Sequence, residues 1–393
     1  MPRSTDALLK ELLGALEPEL PAAVELRRRL HAHPELAHAE EQTARTVAEH
    51  LPVAATEAAG TGRLAHVGPP GERPVAVRAE LDGLPVRERT GVSFSADGEV
   101  MHACGHDVHM AALVALARAA AALGAALPVP LLAIFQPSEE AYPSGAEQLA
   151  RGELGALAPR AVVAAHIHPE LAWGNVALDG GTVNASCDAI EITIDGEPTH
   201  GAYPHRGRNP VLALAHVVLA LHAQAGARVD PLYPATLTVG VLEAGSAENV
   251  IPARAHARGA LRAYRPEDRL ALRALVEEVV AGIAAAHGCE GSVSLTPGEP
   301  ALANDPRIVA AGRELLPRAG FDAAPEWRSV GSDDFSFFAA LAPIALCFVG
   351  LDGAHGFARR PLHHPELIPP DSAVGAVARA QAVLYVAAAA ALS

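Results

Sequence analysis

The chain has 393 residues, half of them hydrophobic, with 30 Lys+Arg set against 45 Asp+Glu for a formal net charge of −15. Lys10 is the one lysine, in a segment that reads as frayed, so Schiff-base chemistry is excluded, and no GxxxxGK[ST] loop exists to cradle a nucleotide. An acidic chain without basic runs is also ill suited to nucleic acid or an anionic membrane surface.

In chain order, the first twenty residues read as an amphipathic polar helix rather than a signal peptide. Residues 22–32 and 41–50 carry helical apolar spacing, while 74–80 (PVAVRAE) and 130–136 (PLLAIFQ) read as short buried strands. Between those strands, 107–123 is an apolar helix that begins at Asp107, and 161–167 (AVVAAHI) is a further strand. Such alternation argues for an α/β layer built on a largely parallel sheet. The texture changes near Asn184, because DAIEITID (188–195) alternates as a strand with one solvated face does. A helix at 209–224, strands at 236–245 and 253–264, a helix at 266–288 and a strand at 291–296 complete a ferredoxin-like order. A helix at 305–318, a strand at 344–350 and a terminal helix at 376–392 then resume the α/β pattern. The parse is one discontinuous α/β domain, 1–185 and 298–393, interrupted by an α+β insert at 186–297. No apolar run approaches the roughly 20 residues that cross a bilayer. Four dispersed cysteines without a CxxC pair imply no disulfide framework, and the expected compartment is the cytoplasm.

The residues that carry chemistry cluster after the predicted strands. Cys104 and His106, in HACGHDVHM (102–110), lie two apart in a glycine-containing turn that could aim a thiolate and an imidazole at one ion. FQPSEE presents Glu139 and Glu140 beyond a strand's carboxyl end, where open α/β sheets keep their sites. There, one carboxylate can hold a metal while its neighbour handles protons. AAHIHP puts His166 and His168 at the end of strand 161–167, where both could face one way, and PLHHPE brackets His363 and His364 with prolines. Each motif alone is as easily a surface or capping group. Together, four clusters of His, Cys or Glu in one α/β domain favour a metal site.

RRRLHAHPEL (27–36), VRAELDGLPV (77–86), HACGHDVHM, FQPSEE, AAHIHP, NVIP (249–252), GALRAY (259–264), GSDDFSFF (331–338) and LHHPEL (362–367) resemble, in order, the metal-dependent amidohydrolases of the aminoacylase/carboxypeptidase superfamily. The branch is that of hippurate hydrolase, indole-3-acetyl-amino-acid hydrolase and N-acetyl-diaminopimelate deacetylase, and the likeness spans about 22 to 390. The resemblance implies an α/β/α metallopeptidase catalytic domain with an inserted ferredoxin-like lid and dimerisation domain. It implies that Cys104, His106, Glu140, His166 and His363 bind one or two divalent metal ions (Zn, Mn, Co or Ni), with Glu139 as general base. Asp82 would orient a ligand, and Asp107 would do the same or cap its helix. His200 would polarise the scissile carbonyl, in many relatives from the partner subunit, and Asn249 and Arg262 would approach the substrate carboxylate.

The chain departs from the family pattern at several places. Glu80 stands where an Asp is usual, Ser332-Asp333-Asp334-Phe335 replaces SEDF, and Ala141-Tyr142-Pro143-Ser144 replaces glycines. GEPTH (196–200) replaces GKGGH, and His168 and His364 are extra imidazoles beside ligand positions. The expected activity is hydrolysis of an N-acyl-amino acid to a carboxylic acid and a free amino acid by a homodimer with no nucleic-acid or membrane partner. The alternatives are a di- or aminopeptidase of the same superfamily and a catalytically silent small-molecule binder.

Overall fold

In a computed structural model of the protein, which describes residues 4–392, the chain forms two compact units. The first comprises residues 1–181, 303–327 and 334–393, and the second 182–302 with 328–333. The sequence places the insert at 186–297; the short return of 328–333 to the second unit has no periodicity of its own that would announce it.

The first unit is built on an eight-stranded sheet. Its order is Thr56–Ala58, Gly62–Val67, Leu131–Gln136, Val75–Glu80, Ala161–Ala172, Ile344–Asp352, Asn175–Ala177 and Asp322–Ala323. The four central strands run parallel, with Val75 opposite both Leu131 and Ala161, and Ile344 opposite Val162. Both Val75–Glu80 and Leu131–Gln136 are buried at every residue, which explains why they read as unbroken apolar runs rather than alternating ones. Helices His106–Leu123 and Ser372–Ala391 cover the sheet, and their many alanines allow close approach of helix to helix and helix to strand.

Two expectations need correction. The N-terminal segment is not frayed: helix Thr5–Leu16 buries Leu8, Leu9, Leu12 and Leu16 against those same two helices, and the Ser4 hydroxyl accepts from the Ala7 amide at 3.3 Å as its cap. Three helices, His106–Ala126, Pro210–Arg228 and Ser372–Ala391, are in fact long and apolar enough to cross a membrane. The first and last owe that character to the core they fill, since most of each is buried.

The second unit is an antiparallel sheet ordered Ala235–Ala244, Arg254–Ala263, Ser186–Asp195, Glu290–Pro297, with helices Pro210–Arg228 and Pro266–Ala286 packed on it. Numbered along the chain the strands lie 2-3-1-4, the ferredoxin-like arrangement. Ile190, Ile192 and Ile194 alternate onto the helix-covered face and are buried, while Glu191 is exposed. Asn209 caps the first helix by accepting from the amides of Val211 and Leu212, with Pro210 at its first position.

Candidate metal centre

The parallel strands deliver their following loops to one edge. Asp82 follows Val75–Glu80, Glu139 and Glu140 follow Leu131–Gln136, His166 and His168 lie on Ala161–Ala172, and His363 follows Ile344–Asp352. Cys104 and His106 reach the same edge through the turn that opens helix His106–Leu123. Gly105 makes that turn possible, since it adopts φ +84° and a Cβ there would stand 2.3 Å from Ile167 Cδ1.

Donor atoms of Cys104, His106 and Glu140 lie within 4.8 Å of one another, as do those of Glu80, His106, His109 and His166. Two donors sharing a first-row ion at about 2.0–2.3 Å stand roughly 3–4.5 Å apart, so the spacing fits. Hydrogen bonds fix the tautomers. His106 donates from Nδ1 to the Asp82 carbonyl at 2.8 Å, which aims Nε2 outward, where loss of its proton exposes a lone pair. His166 donates from Nδ1 to the Ile167 carbonyl at 2.7 Å, leaving Nε2 to face the Cys104 sulfur at 3.5 Å. His106 Nε2 and Glu140 Oε1 are buried without a hydrogen-bond partner. His363 Nε2 approaches Glu140 Oε1 to 3.2 Å, yet the pair lacks hydrogen-bond geometry. Buried polar atoms left unpaired on His106 and Glu140, beside a thiol and an imidazole, are suited to a shared cation, and the residues present fit a divalent metal.

Electrostatics agree. Burial opposes charge on the His106 ring, but Glu80 and Asp82 outweigh it and raise its pKa to about 10. Burial, reinforced by Glu140, Glu139 and Glu80, holds the Cys104 thiol well above its ordinary range. Burial and the nearby His109 push His166 well below its usual value, so its Nε2 stays available. The acid-lined cavity therefore demands positive charge, and an ion that supplied it would release the protons on His106 and Cys104.

Around the donors lies a shell that sequence reasoning located only in part. Asp82 is fully buried; its carbonyl holds His106, and its Oδ2 accepts from the Glu140 amide at 2.8 Å. Asp107 does not cap its helix: it accepts from Arg27 Nε at 2.6 Å and lies 3.0 Å from His31 Nδ1, within a buried ion network. His109 was missed. Its Nδ1 donates to Glu80 at 2.8 Å and its Nε2 accepts from the Ile167 amide at 3.1 Å, so both nitrogens are committed and it braces the strand bearing His166. The available signal was the spacing of three from His106, which puts both rings on one helix face. Glu80 also pairs with Arg78, which reaches Asp334 at 2.9 Å. His168 accepts from the Glu170 amide and stacks edgewise on Trp327 at 4.4 Å, and His364 accepts from the Glu366 amide. Among the described residues neither joins a donor group.

His200, Asn249 and Arg262 belong to the second unit. His200 is exposed and pairs with Val250 in a two-residue ladder, and the Gly201 amide donates to the Asn249 carbonyl at 2.7 Å, so these two are neighbours. Arg262 stands on the four-stranded sheet opposite Cys187 and donates to the Val330 carbonyl at 3.2 Å.

Comparison with known proteins follows the same outline. The chain is 31% identical over 368 residues to an N-acetyl-L-cysteine deacetylase of Bacillus subtilis (strain 168), covering 92% of this chain and 86% of that one. It is 31% identical over 369 residues to an N-acetyldiaminopimelate deacetylase of Bacillus licheniformis, covering 92% and 96% respectively. The crystal structure of a dinuclear metal-binding M20-family peptidase from Bacillus subtilis superposes with a TM-score of 0.82 at 27% identity, over 94% of this chain and 98% of that one. Residues 76–384, which carry Asp82 and the five candidate ligands Cys104, His106, Glu140, His166 and His363, match the model of one family, and the chain belongs to peptidase family M20/M25/M40.

Proposed function

We propose that the protein is a cytoplasmic, metal-dependent amidohydrolase that cleaves N-acyl-amino acids to a carboxylic acid and a free amino acid. In this reading Cys104, His106, Glu140, His166 and His363 hold one or two divalent ions. The observation that carries it is the position of Glu139. Its carboxylate lies 3.9 Å from His106 Nε2, beside the Cys104–His106–Glu140 group but outside it. A ligand set needs no such neighbour for binding alone, whereas hydrolysis needs a proton carrier there.

A bound divalent ion supplies Lewis acidity to the carbonyl and acidity to the attacking water. Glu139 takes that water's proton and delivers it to the departing nitrogen. Asp82 holds the Nδ1 hydrogen of His106, so that Nε2 is the nitrogen left for the ion, and fixes the Glu140 peptide. His200 stabilises the oxyanion, and Arg262, with its planar fork, and Asn249 engage the substrate carboxylate. Cytoplasmic placement is supported by four free cysteines.

The protein is proposed to act as a homodimer through its second unit, with no membrane or nucleic-acid partner. Strand Ala235–Ala244 lies at the edge of its sheet, and Leu212 and Leu219 on helix Pro210–Arg228 are exposed. The deciding experiment loads metal-free protein with Mn, Zn, Co or Ni and offers N-acetyl-amino acids, hippurate and plain dipeptides. Release of acid and amino acid from the acylated substrates supports the reading. Turnover of dipeptides alone makes the protein a peptidase, and no turnover with any metal removes the enzyme reading. Light scattering behind size exclusion, expected to give twice the 40.5 kDa chain mass, tests the dimer.

A further inference from the structure

We propose that His38 and Ser138 are positioning residues that, with Glu40, set the aim of Glu139 and the placement of Glu140. The inference rests on the roles assigned above to those two carboxylates.

Ser138 immediately precedes Glu139. It is 1% exposed and sits at φ +51°, a left-handed conformation that a non-glycine residue holds only when its surroundings enforce it. The enforcing groups come from one segment, 38–40. The fully buried Glu40 accepts the Ser138 amide on Oε1 at 2.7 Å and the Thr61 hydroxyl on Oε2 at 2.7 Å, so it is itself fixed. The His38 amide donates to Ser138 Oγ at 2.9 Å, and His38 Nδ1 lies 2.9 Å from the same oxygen. His38 Nε2 lies 3.2 Å from the Tyr142 carbonyl. A carbonyl only accepts, so Nε2 carries the hydrogen; in the neutral ring Nδ1 then accepts from the Ser138 hydroxyl, whose oxygen also lies 3.3 Å from Glu40 Oε1. One imidazole thereby ties both ends of the segment 138–142.

The Gly145 amide closes the same loop onto the Ser138 carbonyl at 3.1 Å, where a Cβ on Gly145 would fall 1.7 Å from the Pro137 oxygen. On the other side of Glu139, the Glu140 amide is held by Asp82 Oδ2 at 2.8 Å. Glu139 is thus the one residue between two pinned peptides, and small errors in aim are costly in such a position. His38 is exposed and borders a polar pocket of about 440 Å³ shared with Arg45, Arg63 and Gln148. Its ring can therefore be removed without opening the core.

The test compares Ser138→Ala, His38→Ala, Ser138→Gly and the double alanine variant in the full-length protein. Metal-free samples are titrated with Mn²⁺ or Zn²⁺, and loaded samples are assayed on an N-acetyl-amino acid. The expected result is a roughly tenfold rise in the metal dissociation constant, within the range seen when groups that orient ligands are removed. kcat is expected to fall about tenfold with KM within twofold of wild type and the melting temperature of His38→Ala unchanged. Ser138→Gly, which relieves the backbone strain but lacks the hydroxyl, should not rescue, and the double variant should lose no more than the worse single one. Wild-type metal affinity and kcat in His38→Ala would overturn the proposal, even if Ser138→Ala failed to fold. If wild-type protein hydrolyses no N-acyl-amino acid, the functional reading fails, while the metal titration still decides whether the clamp places Glu140.

Discussion

Glu139 and Glu140 differ by one position, yet the site gives their carboxylates different company. Glu140 Oε1 is buried among donors and approached by His363, while Glu139 lies on the flank of His106, outside the Cys104–His106–Glu140 group. A Glu139→Gln substitution keeps the size and removes the proton carrier. Its kcat should fall by about 10²–10⁴-fold. Bound metal, read by elemental analysis, should be unchanged. A variant that kept wild-type turnover would remove Glu139 from the chemistry without disturbing the family assignment.

At the scale of elements, helix Ser372–Ala391 is mostly alanine and valine, and it lies in the core. Gln381 interrupts it: the side chain is fully buried, and neither amide atom has a hydrogen-bond partner. An unpaired buried amide costs about 1–3 kcal/mol. Gln381→Met, similar in length and apolar, should therefore raise stability by about 1–2 kcal/mol in chemical denaturation. A destabilised variant would mean that the amide is satisfied after all. The elements themselves were largely legible. Val75–Glu80 and Leu131–Gln136 announce themselves as apolar runs, and Asn209-Pro210 marks a helix start. Strand Gly62–Val67, of the same length, was missed because Arg63 and His66 break its apolar run. Of the centre, the candidate donors stand out in the sequence because each sits in a recognisable motif. The braces could not. Arg78 and Asp334 meet across 256 positions, and the His38–Ser138 contact spans 100, with no local pattern to link either pair.

For the whole molecule, acid stability should be governed partly by His102. Burial lowers its pKa to about 4 from an unfolded value of 6.5, and neither ring nitrogen has a hydrogen-bond partner. Between those values the unfolded chain binds the proton that the folded one refuses, so stability falls as pH drops from about 6.5 to 4. The difference of 2.5 units corresponds to about 3 kcal/mol at most. In metal-free protein, His102→Leu should show a shallower loss of stability between pH 7 and pH 4.5 than wild type. Equal slopes would show that His102 titrates normally.

The discontinuity of the first unit also has a consequence during synthesis. Strand Ile344–Asp352 pairs with Ala161–Ala172 inside the sheet, but it leaves the ribosome more than 170 residues after the strand it joins. The second unit, contiguous except for 328–333, can close long before that. A nascent chain halted near residue 340 should therefore carry a protease-resistant ferredoxin-like body beside a sheet whose edge at Ala161–Ala172 still lacks its neighbour. Such an edge invites pairing with other chains. Limited proteolysis of stalled chains should show protection of 182–302 before 1–181, and release of full-length chains should abolish the difference. What is a central strand in the finished protein is thus a late delivery in its making, and the wait exposes the strand that carries His166.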